Sequence, residues 1–222
     1  MTTFVLIPGA GGAAWYWSRV VPLLQDAGID AVAVDLAGDE ETAGLAEYAR
    51  IVIDAIGGRA EVAVVAQSLG GFTAAMVTGR VPVASLTFVN AMIPIPGETP
   101  GQWWDHTGAM EARTAAAEVA GYGDFDIGTY FLHDVPADVA AKGAAHQRPE
   151  ADVVFAAPCE FFGWPANPIR VLVGTDDRFF PAEFQCRVAR ERLGIDADVL
   201  PGGHLIALAQ PERVADYLLG DR

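Results

Sequence analysis

The 222-residue sequence is poor in lysine and has no long apolar run. Lys142 is its single lysine, and 14 lysines and arginines stand against 29 aspartates and glutamates, so the net charge is −15. Without a basic stripe to follow a phosphate backbone, nucleic acid is not expected as a partner. No apolar run can span a bilayer, and the start MTTFVLIPG lacks a positive region, so we expect a cytoplasmic protein with no membrane partner.

Cysteine is also scarce. Cys159 and Cys186 have neither a CxxC spacing nor a Cys/His spacing. In a chain without an export signal, two such cysteines are expected to be free thiols. No metal site is predicted.

The sequence does contain a regular alternation of short β-branched runs and helical segments. Strands are predicted at Thr3–Ile7, Ala31–Asp35, Glu61–Ala66, Val83–Val89, Ile169–Val173 and Ala197–Leu200. Helices are predicted at Trp17–Ala27, Gly44–Ile56, Leu69–Arg80, Pro181–Leu193 and Pro211–Leu219. This order indicates an α/β protein with a mostly parallel sheet of about six strands and helices on both faces. Ligands of such sheets bind at the carboxyl ends of the strands.

The alternation stops between about Pro94 and Pro168. This stretch is rich in Pro, Gly and aromatic residues and contains one predicted helix, Gly108–Ala120. It is too long for an ordinary loop. We therefore expect a small, mainly helical cap at 94–168, inserted into a core formed by 1–93 and 169–222.

The first glycine loop, PGAGGAA at 8–14, has two interpretations. Its G-x-G-x-x-A pattern, with Asp35 about twenty residues on, matches a dinucleotide-binding fingerprint. The bulky WYW at 15–17 counts against that interpretation, because a phosphate-binding helix must let a pyrophosphate approach its N-terminus closely. In the other interpretation the loop points a backbone N–H into a cavity, as half of an oxyanion hole.

A second loop, AQSLGG at 66–71, favours the oxyanion interpretation. It places Ser68 after an apolar run and among small residues. A serine on a sharp turn between a strand and a helix needs small neighbours, which Ala66 and Gly70 supply. The N–H of Leu69, at the start of the following helix, would stabilise an oxyanion.

A serine nucleophile needs a base, and the base needs an acid to orient it. Of the four histidines, His204 alone follows a predicted strand, whereas the other three lie in the predicted cap: His106, His133 and His146. The segment GTDDRFFP offers Asp176 and Asp177 after another strand. Each segment alone has an ordinary structural explanation, but the order Ser, acid, His with each residue after a strand indicates a catalytic triad.

With these motifs the sequence resembles the α/β-hydrolase superfamily, and within it the plant methylesterase and hydroxynitrile lyase group with its small bacterial relatives. The resemblance implies an α/β-hydrolase fold. Its GxxD pattern implies that Asp177 is the acid, beside Ser68 and His204. It also implies that the oxyanion hole is formed by the amides of Ala10 and Leu69.

The sequence departs from this family at Pro8, Ala66 and Gln67, where His, Gly and His are usual. Members that cleave cyanohydrins carry a Thr in the oxyanion loop and a Lys after the catalytic His. Here those positions hold Gly9 and Leu205, which favours ester hydrolysis over lyase chemistry.

The predicted function is therefore hydrolysis of a small apolar ester through an acyl-enzyme, without metal or organic cofactor. The cap aromatics could line the substrate pocket, although packing of the cap against the core is the favoured explanation for any single one: Trp103, Trp104, Tyr130, Phe131 and Trp164. Three alternatives stay open: a non-catalytic small-molecule-binding protein, a lyase or C–C bond hydrolase, and, more distantly, a dinucleotide-dependent reductase. A homodimer is also left open.

Overall fold

A single parallel sheet forms the centre of the molecule. The computed structural model describes residues 2–220; Met1, Asp221 and Arg222, which belong to the predicted core units, lie outside the described residues. The strands are β1 (Thr3–Ile7), β2 (Asp30–Ala33), β3 (Val62–Gln67), β4 (Ser85–Val89), β5 (Ile169–Gly174) and β6 (Asp198–Leu200). Their order in the sheet is β2-β1-β3-β4-β5-β6, and every pairing is parallel. The prediction of a parallel six-stranded α/β sheet is confirmed.

Helices connect the strands. They are α1 (Val20–Asp26), α2 (Leu45–Ile56), α3 (Gly70–Thr78), α4 (Pro100–Thr107), α5 (Ala109–Ala120), α6 (Ala137–Gly143), α7 (Asp152–Ala156), α8 (Ala182–Leu193), α9 (Ile206–Ala209) and α10 (Pro211–Leu219). Short 3-10 turns lie at Ala14–Trp17 and Ala144–His146, and a π-helical turn lies at Gly128–Leu132. No helix of residues 2–220 combines the length and the apolar character needed to cross a membrane.

Helix α1 starts later than the predicted Trp17. Pro22 lacks the N–H that would donate to the carbonyl of Ser18, so a proline at this position fits only the first turn of a helix. The structure begins α1 at Val20, and the residues before it form the 3-10 turn Ala14–Trp17.

The alternating side chains of the strands supply two apolar layers. In β1, Val5 and Ile7 belong to the layer that packs against α2, α3 and α8, whereas Phe4 and Leu6 belong to the layer that packs against α1 and α10. Both faces of the sheet are thereby buried, as the continuous apolar sequence of β3 requires.

The order of the strands reverses beside β1. Strand β2 lies on one side of β1 and β3 lies on the other, and the helices that follow β1 and β3 pack on opposite faces of the sheet, which leaves a crevice at the strand ends. The pairing of Ile7 with Ala66 brings the ends of these two strands level. The two loops that the sequence singled out, at 8–14 and 66–71, therefore meet at this edge.

The long segment between β4 and β5 contains α4 to α7. Its first helix is well defined at its N-terminus, because Thr99 and Gln102 form a reciprocal capping box and Pro100 occupies the first turn. The prediction that this segment is mainly helical agrees with these elements. Its boundary as a cap at 94–168 stays a prediction.

A buried ion pair ties this segment to α8. The Glu98 side chain is 0% exposed and that of Arg192 is 9% exposed, and their two hydrogen bonds measure 2.5 and 2.9 Å. His106 Nδ1 also lies 2.8 Å from the Glu98 carboxylate. Burial raises the pKa of Glu98, but the hydrogen bonds from Arg192 and His106 outweigh it and leave the pKa below its ordinary value.

We expect Glu98→Gln to lower the free energy of unfolding by about 3 kcal/mol, because the guanidinium of Arg192 would stay buried without its counter-ion. Since the pKa of Glu98 is lowered by folding, this contribution is fully present above its unfolded pKa of about 4.3 and declines as the pH falls through the folded pKa. Urea unfolding of the wild type and of Glu98→Gln, at about six pH values between pH 3 and pH 8, would measure the difference in unfolding free energy.

The matched control is Glu191→Gln on α8, the helix that carries Arg192, because the pair of Glu191 with Arg187 is solvent-exposed. An exposed pair of this kind contributes less than about 1 kcal/mol. If the two variants lost equal amounts of unfolding free energy at neutral pH, burial of the Glu98 pair would not explain its contribution to stability.

Candidate active site

Ser68 occupies a strained turn between β3 and α3. Its φ is 50°, and among residues 2–220 it shares a positive φ with one other non-glycine residue, Asn90. Such a conformation persists only where the surroundings hold it in place. A β-carbon on Gly70 would collide with the carbonyl oxygen of Pro8, and one on Gly71 with that of Met92. These two glycines therefore allow the loops beside the turn to pack directly against it.

The three predicted catalytic side chains form one hydrogen-bonded chain. His204 Nε2 lies 3.1 Å from Ser68 Oγ, and His204 Nδ1 lies 2.8 Å from Asp177 Oδ2. All three residues are buried, with 8% exposure for Ser68, 1% for His204 and 5% for Asp177. A carboxylate can only accept, so Nδ1 carries the proton and Nε2 is free to accept the serine hydroxyl.

The local structure distinguishes the two adjacent aspartates. Asp177 Oδ1 accepts the N–H groups of Phe179 and Phe180, both at 2.8 Å, and Oδ2 accepts the Gln185 amide at 3.1 Å as well as the histidine. Asp176 instead accepts the N–H of Gly202 at 2.9 Å. Asp177 is thus held with Oδ2 toward the imidazole, whereas Asp176 supports the loop that precedes the histidine.

Asn90 joins the loops that carry these residues, a role that the sequence analysis missed. It is fully buried at the end of β4, and its Oδ1 accepts the N–H of Gly174 at 2.7 Å. Its Nδ2 donates to the carbonyls of Gly203 at 2.9 Å and His204 at 3.2 Å. The sequence did contain a signal for this role, because asparagine tolerates positive φ and Asn90 directly follows a buried strand.

The two predicted oxyanion-hole amides are both without an acceptor among the described residues. Ala10 lies in a turn closed by a 3.1 Å hydrogen bond from Gly12 N–H to the Gly9 carbonyl. Leu69 directly precedes α3, so its N–H is one of the amides that the helix leaves unpaired. These two N–H groups are available to a ligand.

Three phenylalanines enclose the imidazole. The rings of Phe131, Phe179 and Phe180 lie 5.1, 5.0 and 5.2 Å from that of His204, all in edge-on orientations. This apolar shell excludes water from the histidine and strengthens its hydrogen bonds.

A cavity of about 300 Å³ lies beside the turn that carries Ala10. Apolar side chains form much of its wall: Trp15, Ile127, Phe131, Leu132, Leu205 and Leu208. Phe131 is the one of the five predicted pocket aromatics found among the described residues of this wall. Trp104 is half-buried and contacts Phe179 and Phe180, the two rings that separate it from the histidine.

Trp103, Tyr130 and Trp164 are not among the described residues that line this cavity, and their assignment to a substrate pocket stays a prediction. Trp103 is 1% exposed, and its indole N–H donates to the Ile93 carbonyl at 3.1 Å. Trp164 packs edge-on against Phe88 of the core at 5.5 Å. Tyr130 is buried, and its hydroxyl donates to a backbone carbonyl. Aromatic composition alone does not separate a cavity wall from core packing, because both bury apolar area.

The dinucleotide interpretation of the first loop is not supported. Both carboxylate oxygens of Asp35, which would have bound a ribose, accept hydrogen bonds from Arg148, and one also accepts the N–H of Ala14. The part of the chain that the structure describes also contains no cluster of three or more His, Cys, Asp or Glu side chains suited to a metal ion.

Comparison with known proteins identifies similar sequences and structures. The chain is similar to a probable esterase of Oryza sativa subsp. indica, with 36% identity over 110 residues, or 44% of this chain and 42% of the rice protein. It thus spans about two fifths of that relative's length. A norfluorocurarine synthase of a Strychnos species is 22% identical over 97% of this chain and 93% of its own.

Solved structures show the same fold. Polyneuridine aldehyde esterase superposes with a TM-score of 0.82 over 99% of this chain and 98% of its own, at 19% identity. A pyrethroid hydrolase from Sphingobium faniae gives a TM-score of 0.76 over 99% and 96%, at 22% identity. The sequence pattern of the alpha/beta hydrolase family matches residues 4–217, so the chain belongs to the alpha/beta hydrolase family.

Proposed function

We propose that this protein is a serine carboxylesterase that hydrolyses small apolar esters through an acyl-enzyme. The observation that carries the proposal is the unbroken hydrogen-bonded chain from Ser68 Oγ through His204 to Asp177. A nucleophile, a base and an orienting acid at these distances meet the requirements of acyl transfer.

In the proposed reaction Ser68 Oγ attacks the ester carbonyl while its proton passes to His204 Nε2. Asp177 holds the neutral ring in the tautomer that can accept this proton, and then stabilises the imidazolium. The imidazolium returns the proton to the leaving alcohol, which yields the acyl-enzyme. Water then attacks the acyl group with His204 again as the base, releasing the acid and restoring Ser68.

The amides of Ala10 and Leu69 would receive the oxyanion in both steps. Neither N–H is committed to an acceptor among the described residues, so no internal hydrogen bond has to break when the charge develops. Leu69 also lies at the positive end of the α3 dipole.

The cavity supports a small apolar substrate. Its volume of about 300 Å³ and its largely apolar wall suit a short acyl or alcohol group. Leu205, directly after His204, places an apolar group on this wall, so the cavity offers no cation at that position for a leaving cyanide. The rice relative's name, probable esterase, points to the same reaction class.

A fluorophosphonate probe should label the wild-type protein and leave Ser68→Ala unlabelled, because the probe bonds to an activated serine oxygen. Mass spectrometry of the intact protein would count the adduct. The control is Ser18→Ala, since Ser18 is solvent-exposed. A wild-type protein that never labels and hydrolyses no short-chain aryl ester would refute the enzyme proposal, and ligand binding without turnover would favour a binding protein.

We expect Asp177→Asn to lower kcat by about 10³- to 10⁴-fold, since an amide favours the wrong imidazole tautomer. Asp176→Asn is the matched control, and its kcat should stay within about tenfold of wild type because Asp176 bonds to Gly202 rather than to the ring. Steady-state kinetics on an aryl ester would measure both. If kcat fell equally in the two variants, Asp177 would not be the acid of the triad.

A further inference from the structure

The turn that carries Ala10 is bound on both sides by residues 148–150 of the segment between β4 and β5. Gly11 N–H donates to Glu150 Oε2 at 2.6 Å, and Arg148 Nε donates to the Gly11 carbonyl at 3.0 Å. The two segments also pack directly against each other, because a β-carbon on Gly11 would lie 2.6 Å from the carbonyl oxygen of Arg148. Both peptide groups of Gly11 are therefore held by a part of the chain about 140 residues away.

The groups that hold the turn are themselves hydrogen-bonded to other elements of the fold. Tyr48 of α2 donates its hydroxyl to Glu150 Oε1 at 2.5 Å. Asp35, two residues after the end of β2, accepts two hydrogen bonds from the Arg148 guanidinium at 3.1 and 2.9 Å. Asp35 thus has a structural role as the partner of Arg148, in place of the ribose binding that the dinucleotide interpretation assigned to it.

The turn alone has two available conformations. Gly12 N–H bonds to the Gly9 carbonyl, so residues 9–12 form a β-turn whose central peptide joins Ala10 to Gly11. Gly11 has a φ of +80°, the value that a type II turn requires at its third position. A glycine adopts positive and negative φ with similar ease, so rotation of the central peptide toward a type I turn is sterically open to it. Pro8, before the turn, has no side-chain group that could prevent this rotation.

We propose that Glu150 is a positioning residue that holds this turn in its type II form and thereby fixes the position of Ala10, whose N–H would receive the developing oxyanion. The N–H that Glu150 accepts belongs to the central peptide, which is the one that would rotate. With Glu150 in place, the turn is organised before substrate binds, as an oxyanion hole requires. This inference rests on the proposed esterase function.

The chemistry of Glu150 predicts which substitutions it tolerates. Burial raises the pKa of this carboxyl, although the Tyr48 and Gly11 hydrogen bonds and the Arg148 charge oppose the rise. A neutral side chain of the same shape is therefore compatible with the site. Glutamine can accept the Gly11 N–H with its oxygen and donate its amide to the Tyr48 hydroxyl, whereas alanine can do neither.

We expect Glu150→Ala to lower kcat on an aryl ester by about 10- to 100-fold, with KM changed less than about threefold. The loss is smaller than deletion of an oxyanion donor, about 10²- to 10³-fold, because the Ala10 N–H stays present and only the turn that carries it is no longer held in one form. Glu150→Gln should recover most of the activity. The matched control is Glu160→Ala in the same segment, an exposed glutamate without a hydrogen bond among the described residues.

A second measurement does not depend on activity. The Gly11 amide should exchange with solvent at least about tenfold faster in Glu150→Ala than in wild type, and at a near-wild-type rate in Glu150→Gln, as measured by NMR. If Glu150→Ala does not fold, Tyr48→Phe, which removes one hydroxyl and keeps the ring, should show the same changes to a smaller degree.

The two proposals fail in different ways. A wild-type protein without labelling or turnover would refute the esterase function, whereas the exchange measurement would still test whether Glu150 holds the turn. An active wild type whose Glu150→Ala variant keeps its kcat would overturn the positioning role, as would a Glu150→Gln variant no better than alanine.

Discussion

The left-handed backbone at Ser68 is the constraint on which the rest of this site depends. A serine at a φ of 50° is disfavoured by about 1–3 kcal/mol and needs support from both sides. That support comes from close packing of the Pro8 and Met92 backbones on Gly70 and Gly71, and from the hydrogen bond of Met92 N–H to the Ser68 carbonyl at 2.9 Å. The loops after β1, β3 and β4 are consequently packed into one unit, with the serine hydroxyl facing the histidine.

The second unusual backbone position, Asn90, extends this unit to β5 and β6. Its amide oxygen accepts a hydrogen bond from Gly174, where the loop to Asp177 begins, and its amide nitrogen donates to the loop that carries His204. A buried amide that is fully paired stabilises one arrangement of the loops, whereas partial pairing would cost free energy. The distances within the triad are thus set by the contacts between the loops at adjacent strand ends. The side chains of the triad do not have to hold these loops together themselves.

Arginine ion pairs attach the segment between β4 and β5 to the rest of the molecule at its beginning and in its later part. Glu98 and Arg192 join its beginning to α8, and Arg148 joins its later part to Asp35. In a chain of net charge −15, which contains few cations, these arginines lie where two elements must meet in one orientation. Their planar guanidinium groups suit paired carboxylate contacts, which specify direction as well as distance.

Local patterns in the sequence specify the order of the strands and of the helices between them outside the segment from β4 to β5, the serine turn and the candidate histidine, because burial periodicity and strand ends are local properties of the chain. Its residues left Asp176 and Asp177 equivalent, and the family resemblance favoured Asp177. Tertiary structure decided what each aspartate binds, that Asn90 joins three loops, that Trp103 packs in the core, and that Glu150 holds the turn of Ala10. These contacts join residues far apart in the chain, and hydrogen-bond direction and side-chain packing across such separations leave no periodic pattern in the sequence.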